Sequence, residues 1–346
     1  MPHRTFIAFL WPSALAMLLF IALPIMSITV QSFFISHEQV LEVVENCGPF
    51  GCTESTQVNQ EATAQLQKEQ PLGKFNGFGT YANRNHLAFA EIGEAWQSST
   101  GMGMFFDKVM NLPFYKALIF TLTYTFVVTP LVIILGFVIA LAVNRLPSMF
   151  KGPTIFFSLL PMIVTPLIGS LILFWMIDAR GIIGGTLQII FDNPDLSLKA
   201  SPTLTWITLF VYGVWHSAPF AFVVFYAGLQ TVPQDTLESA MIDGASRWQS
   251  ILHVVVPHLM PLAVFITLIQ LMDNFRVFEP IVGFNAEASA TSLSWIIYND
   301  LRSSDGTMLY GSAAATSILT IVGVCILLAP VILRTWRANR RAAQGR

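Results

Sequence analysis

Six long apolar stretches limit what this chain can become: Phe6–Val30, Ala117–Val143, Thr154–Ile177, Thr203–Leu229, Leu259–Gly283 and Met308–Leu333. About 20 residues at ~1.5 Å each cross a hydrocarbon layer of roughly 30 Å, so every stretch is long enough to span a bilayer. Hydrocarbon offers no partner for a free backbone N–H or C=O, and a segment that satisfies its own is a helix. With 54% hydrophobic and 11% charged residues over 346 positions, the chain has more apolar surface than a water-facing domain can hide. The expected fold is an all-α polytopic membrane protein with six transmembrane helices. The first stretch is longer than a signal-peptide core and no small-residue cleavage site follows it, so it is expected to stay as a helix. Pro24, Pro130, Pro161, Pro166 and Pro219 interrupt the stretches, and either kink them for packing or break them along a pathway.

Charge sets the orientation. With the N-terminus inside, the inner segments carry Arg4, Arg145, Lys151, Arg247, Arg334, Arg337, Arg340, Arg341 and Arg346 against Asp235, Glu238 and Asp243. The short outer loops carry Arg180, Lys199 and Arg302 with Asp178, Asp192, Asp195, Glu279, Glu287, Asp300 and Asp305. The positive-inside rule then puts both termini in the cytoplasm. The organisation reads as a tail and first helix (1–34), a periplasmic insertion (35–115), a five-helix core (116–334) containing a cytoplasmic loop (231–258), and a basic tail (335–346). Lys68, Lys74, Arg84 and Lys108 in the insertion do not oppose this, because long loops translocate largely regardless of charge.

Residues 38–70 of the insertion are polar, rich in Glu and Gln and without a strong period, which reads as a surface loop. Cys47 and Cys52 lie there in Cys-Gly-Pro-Phe-Gly-Cys, where an oxidising periplasm permits a disulfide across a short loop; no histidine lies nearby to favour a metal. Cys325 lies in the last span as a packing residue.

The loop between the fourth and fifth stretches runs from Pro233 through Glu238, Ser239, Ala240, Asp243, Gly244 and Ala245 to Val254, Val256 and Pro257. It reads as a helix, a glycine break and a second helix. Pro233 suits a first turn, Ser239 and Ala240 are small enough for close approach, Gly244 permits a left-handed ending, and Pro257 sets the start of span five. Glu238-Ser239-Ala240, then Gly244, then Val254, Val256 and Pro257 resembles the signature of permease subunits of binding-protein-dependent ABC importers. Ser239 and the two valines are departures conservative in size. That resemblance implies the type I importer permease architecture, a helix seated in a groove of an ATP-binding subunit, Glu238 as the charged contact, and Gly244 as the hinge. It also implies a heterodimer with a second permease, two ATP-binding subunits and a periplasmic solute-binding protein. The chain has no Gly-x-x-x-x-Gly-Lys-Ser/Thr loop, so ATP and Mg are expected on the partner ATPase and no cofactor on this chain.

Trp11-Pro12 through Pro24 to Phe33, Phe75 to Tyr81, Leu159-Leu160-Pro161 with Val164 and Pro166, Asn274 to Phe278, and Trp295 to Tyr298 resemble the sugar branch, as the maltose-type first permease of a pair. The stretch Gly283 to Ser289 departs from that branch's Gly-rich turn.

Polar groups inside hydrocarbon are costly and mark candidate pathway residues. Gln270, Asp273, Asn274 and Arg276 near the outer end of span five are such candidates: residues 270, 273 and 274 share a helical face that could line a cavity suited to hydroxyls, while Asp273 and Arg276 could instead form an ion pair that only fixes the helix end. Trp215 and Tyr226, with His216, are either an aromatic platform for a sugar ring or packing and interfacial residues. The six histidines form no metal pattern, no catalytic set is evident, and no basic block tracks a phosphate backbone, so neither an enzyme nor a nucleic-acid binder is expected. Membrane lipid is the surrounding partner. Cargo alternatives to a sugar are glycerol 3-phosphate, a polyol, a sugar acid or a polyamine; a reading of another class is a non-transporting scaffold or sensor that regulates an ATPase.

Overall fold

The computed structural model describes residues 3–37, 39–48, 51–302 and 308–344. Asp305 and Arg346 of the charge pattern fall outside them, as do the side chains of Arg4, Arg341, Cys47 and Cys52. Among the described residues five helices are long and apolar enough to cross a membrane: Phe9–Gln31, Pro113–Asn144, Pro202–Leu229, Arg247–Phe275 and Tyr310–Arg337. These are spans one, two, four, five and six. A helix pair, Ser148–Ile163 and Pro166–Met176, supplies a sixth if taken together, and it is bent by 94°.

The break falls in the third stretch, which Pro161 and Pro166 were expected to kink or break. Val164 and Thr165 are extended, with ψ of 128° and 141°. Thr165 precedes Pro166, whose ring disfavours a helical residue before it. Of the other prolines, Pro130 and Pro219 sit inside unbroken helices. Pro24 and Pro257 instead follow π-helical turns, at Leu18–Ala22 and Ile251–Val255. A wider turn moves the preceding carbonyl away from a ring that would otherwise clash with it.

The fifth span is corrected. It begins at Arg247 and ends at Phe275, and Glu279–Gly283 is a separate short helix. Arg247, Gln249, Ser250 and His253 lower the local hydropathy without stopping the helix, which hid its first turns from an apolar-run reading.

The chain divides into two compact units. The larger comprises 117–295 and 322–346. Its core takes Phe120, Tyr124, Val128 and Val132 from one face of span two, Leu209, Phe222 and Phe225 from span four, and Leu259 and Ile266 from span five. Lipid tails are as apolar as leucine, so close packing and hydrogen bonds, more than escape from solvent, hold such helices together. At Gly136 a Cβ would lie 2.6 Å from that of Ala221, so only glycine lets spans two and four meet there. Buried Thr121, Thr125 and Thr129 form a polar seam along span two: Thr121 Oγ1 accepts from the Leu293 amide at 3.2 Å and Thr129 Oγ1 from Asn274 Nδ2 at 3.0 Å.

The smaller unit comprises 1–116 and 296–321. Residues 41–58, expected as a loop, form an antiparallel hairpin of Leu41–Gly48 with Gly51–Val58, followed by a helix, Gln60–Glu69. Cys47 and Cys52 are register partners in its ladder. The hairpin does not rest on burial, since Leu41 and Val43 are over 60% exposed. Its backbone ladder holds it, so no clean hydrophobic alternation announces it in the sequence. Asn59 caps the helix by accepting from the Ala62 amide at 2.9 Å.

A second pairing, Phe34–Ile35 with Lys74–Phe75, returns the chain to the end of span one. Beyond it lies a buried polar cluster. His86, 1% exposed, places Nε2 3.1 Å from the Ser312 carbonyl, and the Ser312 hydroxyl donates to Asp300 Oδ2 at 2.6 Å. Burial pushes the His86 pKa down and the Asp300 pKa up.

Candidate functional site: the loop between spans four and five

Span four ends at Leu229, and Thr231 closes it by donating to the Gly228 carbonyl at 2.8 Å. Pro233 stands at the cap position just before the helix Gln234–Ile242, one residue earlier than the first turn expected for it. Asp235 puts negative charge in that first turn, where the helix dipole favours it. Glu238 and Ser239 are exposed and Ala240 is half-buried. Within the loop Glu238 Oε1 accepts from Gln234 Nε2 at 3.1 Å, and the Ser239 hydroxyl donates to the Asp235 carbonyl at 2.8 Å. The carboxylate of Glu238 therefore keeps most of its acceptor capacity for solvent or another molecule.

The helix ends in a Schellman arrangement. The Ala245 amide donates to the Ala240 carbonyl at 2.9 Å and the Gly244 amide to Met241 at 3.1 Å, with Gly244 at φ +78°. A Cβ at Gly244 would meet nothing within 4 Å, so its requirement is conformational, not spatial. Two residues later Ser246 opens the next helix with a capping box: its Oγ accepts from the Gln249 amide at 3.4 Å, and Gln249 Oε1 accepts from the Ser246 amide at 2.7 Å. From Arg247 that helix runs through the π-turn and Pro257 into span five. Buried Ile251 and Val255 seat it in the unit.

Between the two helices lies a concavity of about 310 Å³, lined by Ala240, Asp243, Gly244, Ala245, Gln249, Ser250, His253 and Val254. Beside it Met241, Ile242 and Trp248 are 64, 86 and 72% exposed. Sequence reasoning passed over these three, although large apolar residues in a loop predicted outside the hydrocarbon were the signal. Small wall residues, a carboxylate and three bare apolar side chains make a surface suited to protein contact.

The expected pathway residues do not form one surface. Gln270 and Asn274 are buried, with Asn274 held by Thr129, whereas Asp273 is half-exposed and pairs with Arg276 at 3.0 Å. Trp215 and Tyr226 are 11 residues apart on span four, about 16 Å along its axis, and do not meet as a platform. His216 and Tyr212 turn inward to the break in span three: His216 Nε2 lies 3.1 Å from the Val164 carbonyl and the Tyr212 hydroxyl donates to that of Pro166 at 2.7 Å. The segment after Val282 packs Phe284 against Tyr212, with Asn285 at φ +49° making the turn.

A family model for the inner membrane component of binding-protein-dependent transport systems matches residues 99–336. The chain belongs to this family. It is a multi-pass inner-membrane transport subunit. The trehalose/maltose transport system permease MalF of Thermococcus litoralis is 30% identical over 214 residues, 60% of this chain and 70% of that one. The trehalose transport system permease SugA of Mycobacterium tuberculosis is 28% identical over 226 residues, 65% and 71% of the two chains. Among solved structures, a chain of a bacterial ABC transporter that imports the acidic polysaccharide alginate shares the fold, with TM-score 0.58 and 20% identity over 80% of this permease and 96% of that chain.

Proposed function

We propose that this permease carries a sugar or sugar-like solute across the inner membrane, handed over by a periplasmic binding protein and driven by ATP hydrolysis on a separate subunit. The observation that carries the coupling part is the continuity of the helix from Arg247 to Phe275 behind a Schellman-capped helix with an exposed Glu238. A surface fixed at both helix ends transmits displacement to span five instead of absorbing it. In this reading Gln234–Ile242 docks on the ATPase through Glu238, Met241 and Ile242, both termini are cytoplasmic, a second permease completes the path, and ATP and Mg stay on the partner. Support for a sugar comes from the permease relatives, whose names include trehalose and maltose transport.

The deciding experiment reconstitutes the permease with its partner subunits and binding protein, and screens sugars for stimulation of ATPase activity and uptake. A mono- or oligosaccharide is expected to raise both. If no sugar stimulates hydrolysis while glycerol 3-phosphate, a polyol or a polyamine does, the cargo assignment fails; if no solute is taken up, the importer assignment fails.

A further inference from the structure

Span six does not stop where its apolar stretch stops. The helix runs from Tyr310 to Gln344, whereas the last apolar residue of the run is Leu333. From Ala313 to Leu333 the helix covers about 30 Å, the thickness of the hydrocarbon layer. Arg334 directly follows the apolar run that ends at Leu333, with Arg337 and Arg340 about 4.5 and 9 Å farther along the axis, so the charge begins where the hydrocarbon-compatible sequence stops. All three are exposed, and their spacing holds them within an arc of about 120° on one side of the helix. Trp336 is 56% exposed beside them, with the Arg340 guanidinium 5.4 Å from its ring centroid. Residues 334–346 contain no Asp or Glu, and among the described residues no carboxylate lies within ion-pair distance of these arginines.

We propose that Arg334, Arg337 and Arg340 bind the phosphate headgroups of anionic phospholipids in the bilayer that span six crosses. The inference rests on the chain being membrane-spanning and is independent of cargo and ATPase coupling. A guanidinium binds phosphate through two parallel hydrogen bonds, and three on one face at graded depth can follow a headgroup from the glycerol level outward. Trp336 is the amphipathic ring that prefers this layer. Continuity with a membrane span favours lipid over an acidic protein, because the helix delivers the arginines to the headgroups without any docking event.

The test presents equimolar phosphatidylglycerol and phosphatidylcholine to the full chain in detergent and counts retained lipids by native mass spectrometry. Phosphatidylglycerol should be retained in preference, and R334Q/R337Q/R340Q should cut that preference on the order of a hundred-fold, about five-fold per arginine. An unchanged preference in the triple variant, or none in the unaltered chain, overturns the proposal. Displacement of the lipid by millimolar inorganic phosphate overturns it as well, since the site would then recognise free phosphate. Thermal unfolding in nanodiscs supplies a second reading: the triple variant should match the unaltered chain in phosphatidylcholine and melt lower in phosphatidylglycerol. Equal destabilisation in both lipids would show that the arginines act within the protein, which also overturns it.

Discussion

His216 on span four offers its ring Nε2 at 3.1 Å to the carbonyl of Val164, one of the backbone groups freed where the third span breaks. The nitrogen there must carry the proton, since a carbonyl only accepts. It supplies a bond that the interrupted helix has lost, in a layer where water does not, and the Tyr212 hydroxyl adds a second tie across the break at the Pro166 carbonyl. Replacing His216 by Phe or Tyr212 by Phe keeps the ring volume and removes the donor. Each should lower unfolding free energy by about 1 kcal/mol, read from denaturant unfolding in bicelles. Variants as stable as the parent would show that the bend needs no cap.

Gly244 is open on all sides and needs only its left-handed backbone. Asn tolerates that conformation better than β-branched residues do. Gly244→Asn is therefore expected to retain most uptake, while Gly244→Val, strained by about 1–2 kcal/mol, should uncouple ATP hydrolysis from transport. Equal uptake by the two variants would remove the hinge from the account.

Glu238 is exposed, so Glu238→Ala should leave expression and membrane insertion unchanged, because a surface substitution typically moves stability by no more than ~0.5 kcal/mol. Co-purification of the ATPase subunit is expected to fall several-fold. Full retention of the subunit and full uptake would place the contact elsewhere on the loop.

Asn274 and Thr129 lie in the buried polar seam. A double-mutant cycle with Asn274→Leu and Thr129→Val should give a coupling energy of about 0.6 kcal/mol, and at most ~1.7, the range measured between helices in membranes. A coupling near zero would mean that the pair merely fills space.

His86 and Asp300 make the smaller unit pH-sensitive in opposing senses. The folded pKa of His86 is lowered from 6.5, so its stabilising contribution is complete above 6.5 and is lost as pH falls toward the folded value. That of Asp300 is raised from 3.8, so its contribution is complete below 3.8 and is lost as pH rises through the folded value. Asp300→Asn removes the carboxylate whose charge holds the His86 pKa up, so that pKa falls further and the melting temperature should drop more steeply than the parent's as pH falls below 6.5. A slope no steeper than the parent's would sink this assignment.

The apolar runs made the spans legible because long uncharged stretches have one stable form in lipid. The loop from Pro233 to Pro257 was legible because Gly244 answers to backbone geometry and the residue types around it keep a recognisable spacing. What stayed hidden was decided by contacts distant in sequence. Nothing in the sequence around Asn274 points to its hydrogen bond with Thr129, on another span and 145 positions away. His216 gives no sign in the sequence that its partner is a carbonyl some fifty positions earlier. The hairpin of 41–48 with 51–58 gave little periodicity to read, since Leu41 and Val43, its apolar residues on one face, are exposed.

The helix from Arg247 to Phe275 is a lever of about 42 Å, so a tilt of about 10° at one end sweeps the other through roughly 7 Å. The π-turn at Ile251–Val255 lies one turn from the loop end of that lever. If it holds, a small push near Arg247 is enlarged at Asn274; if it flexes, the same push is spent at the turn. In the proposed coupling, the widened turn that makes room for Pro257 would set how much of the stroke the far end of span five receives.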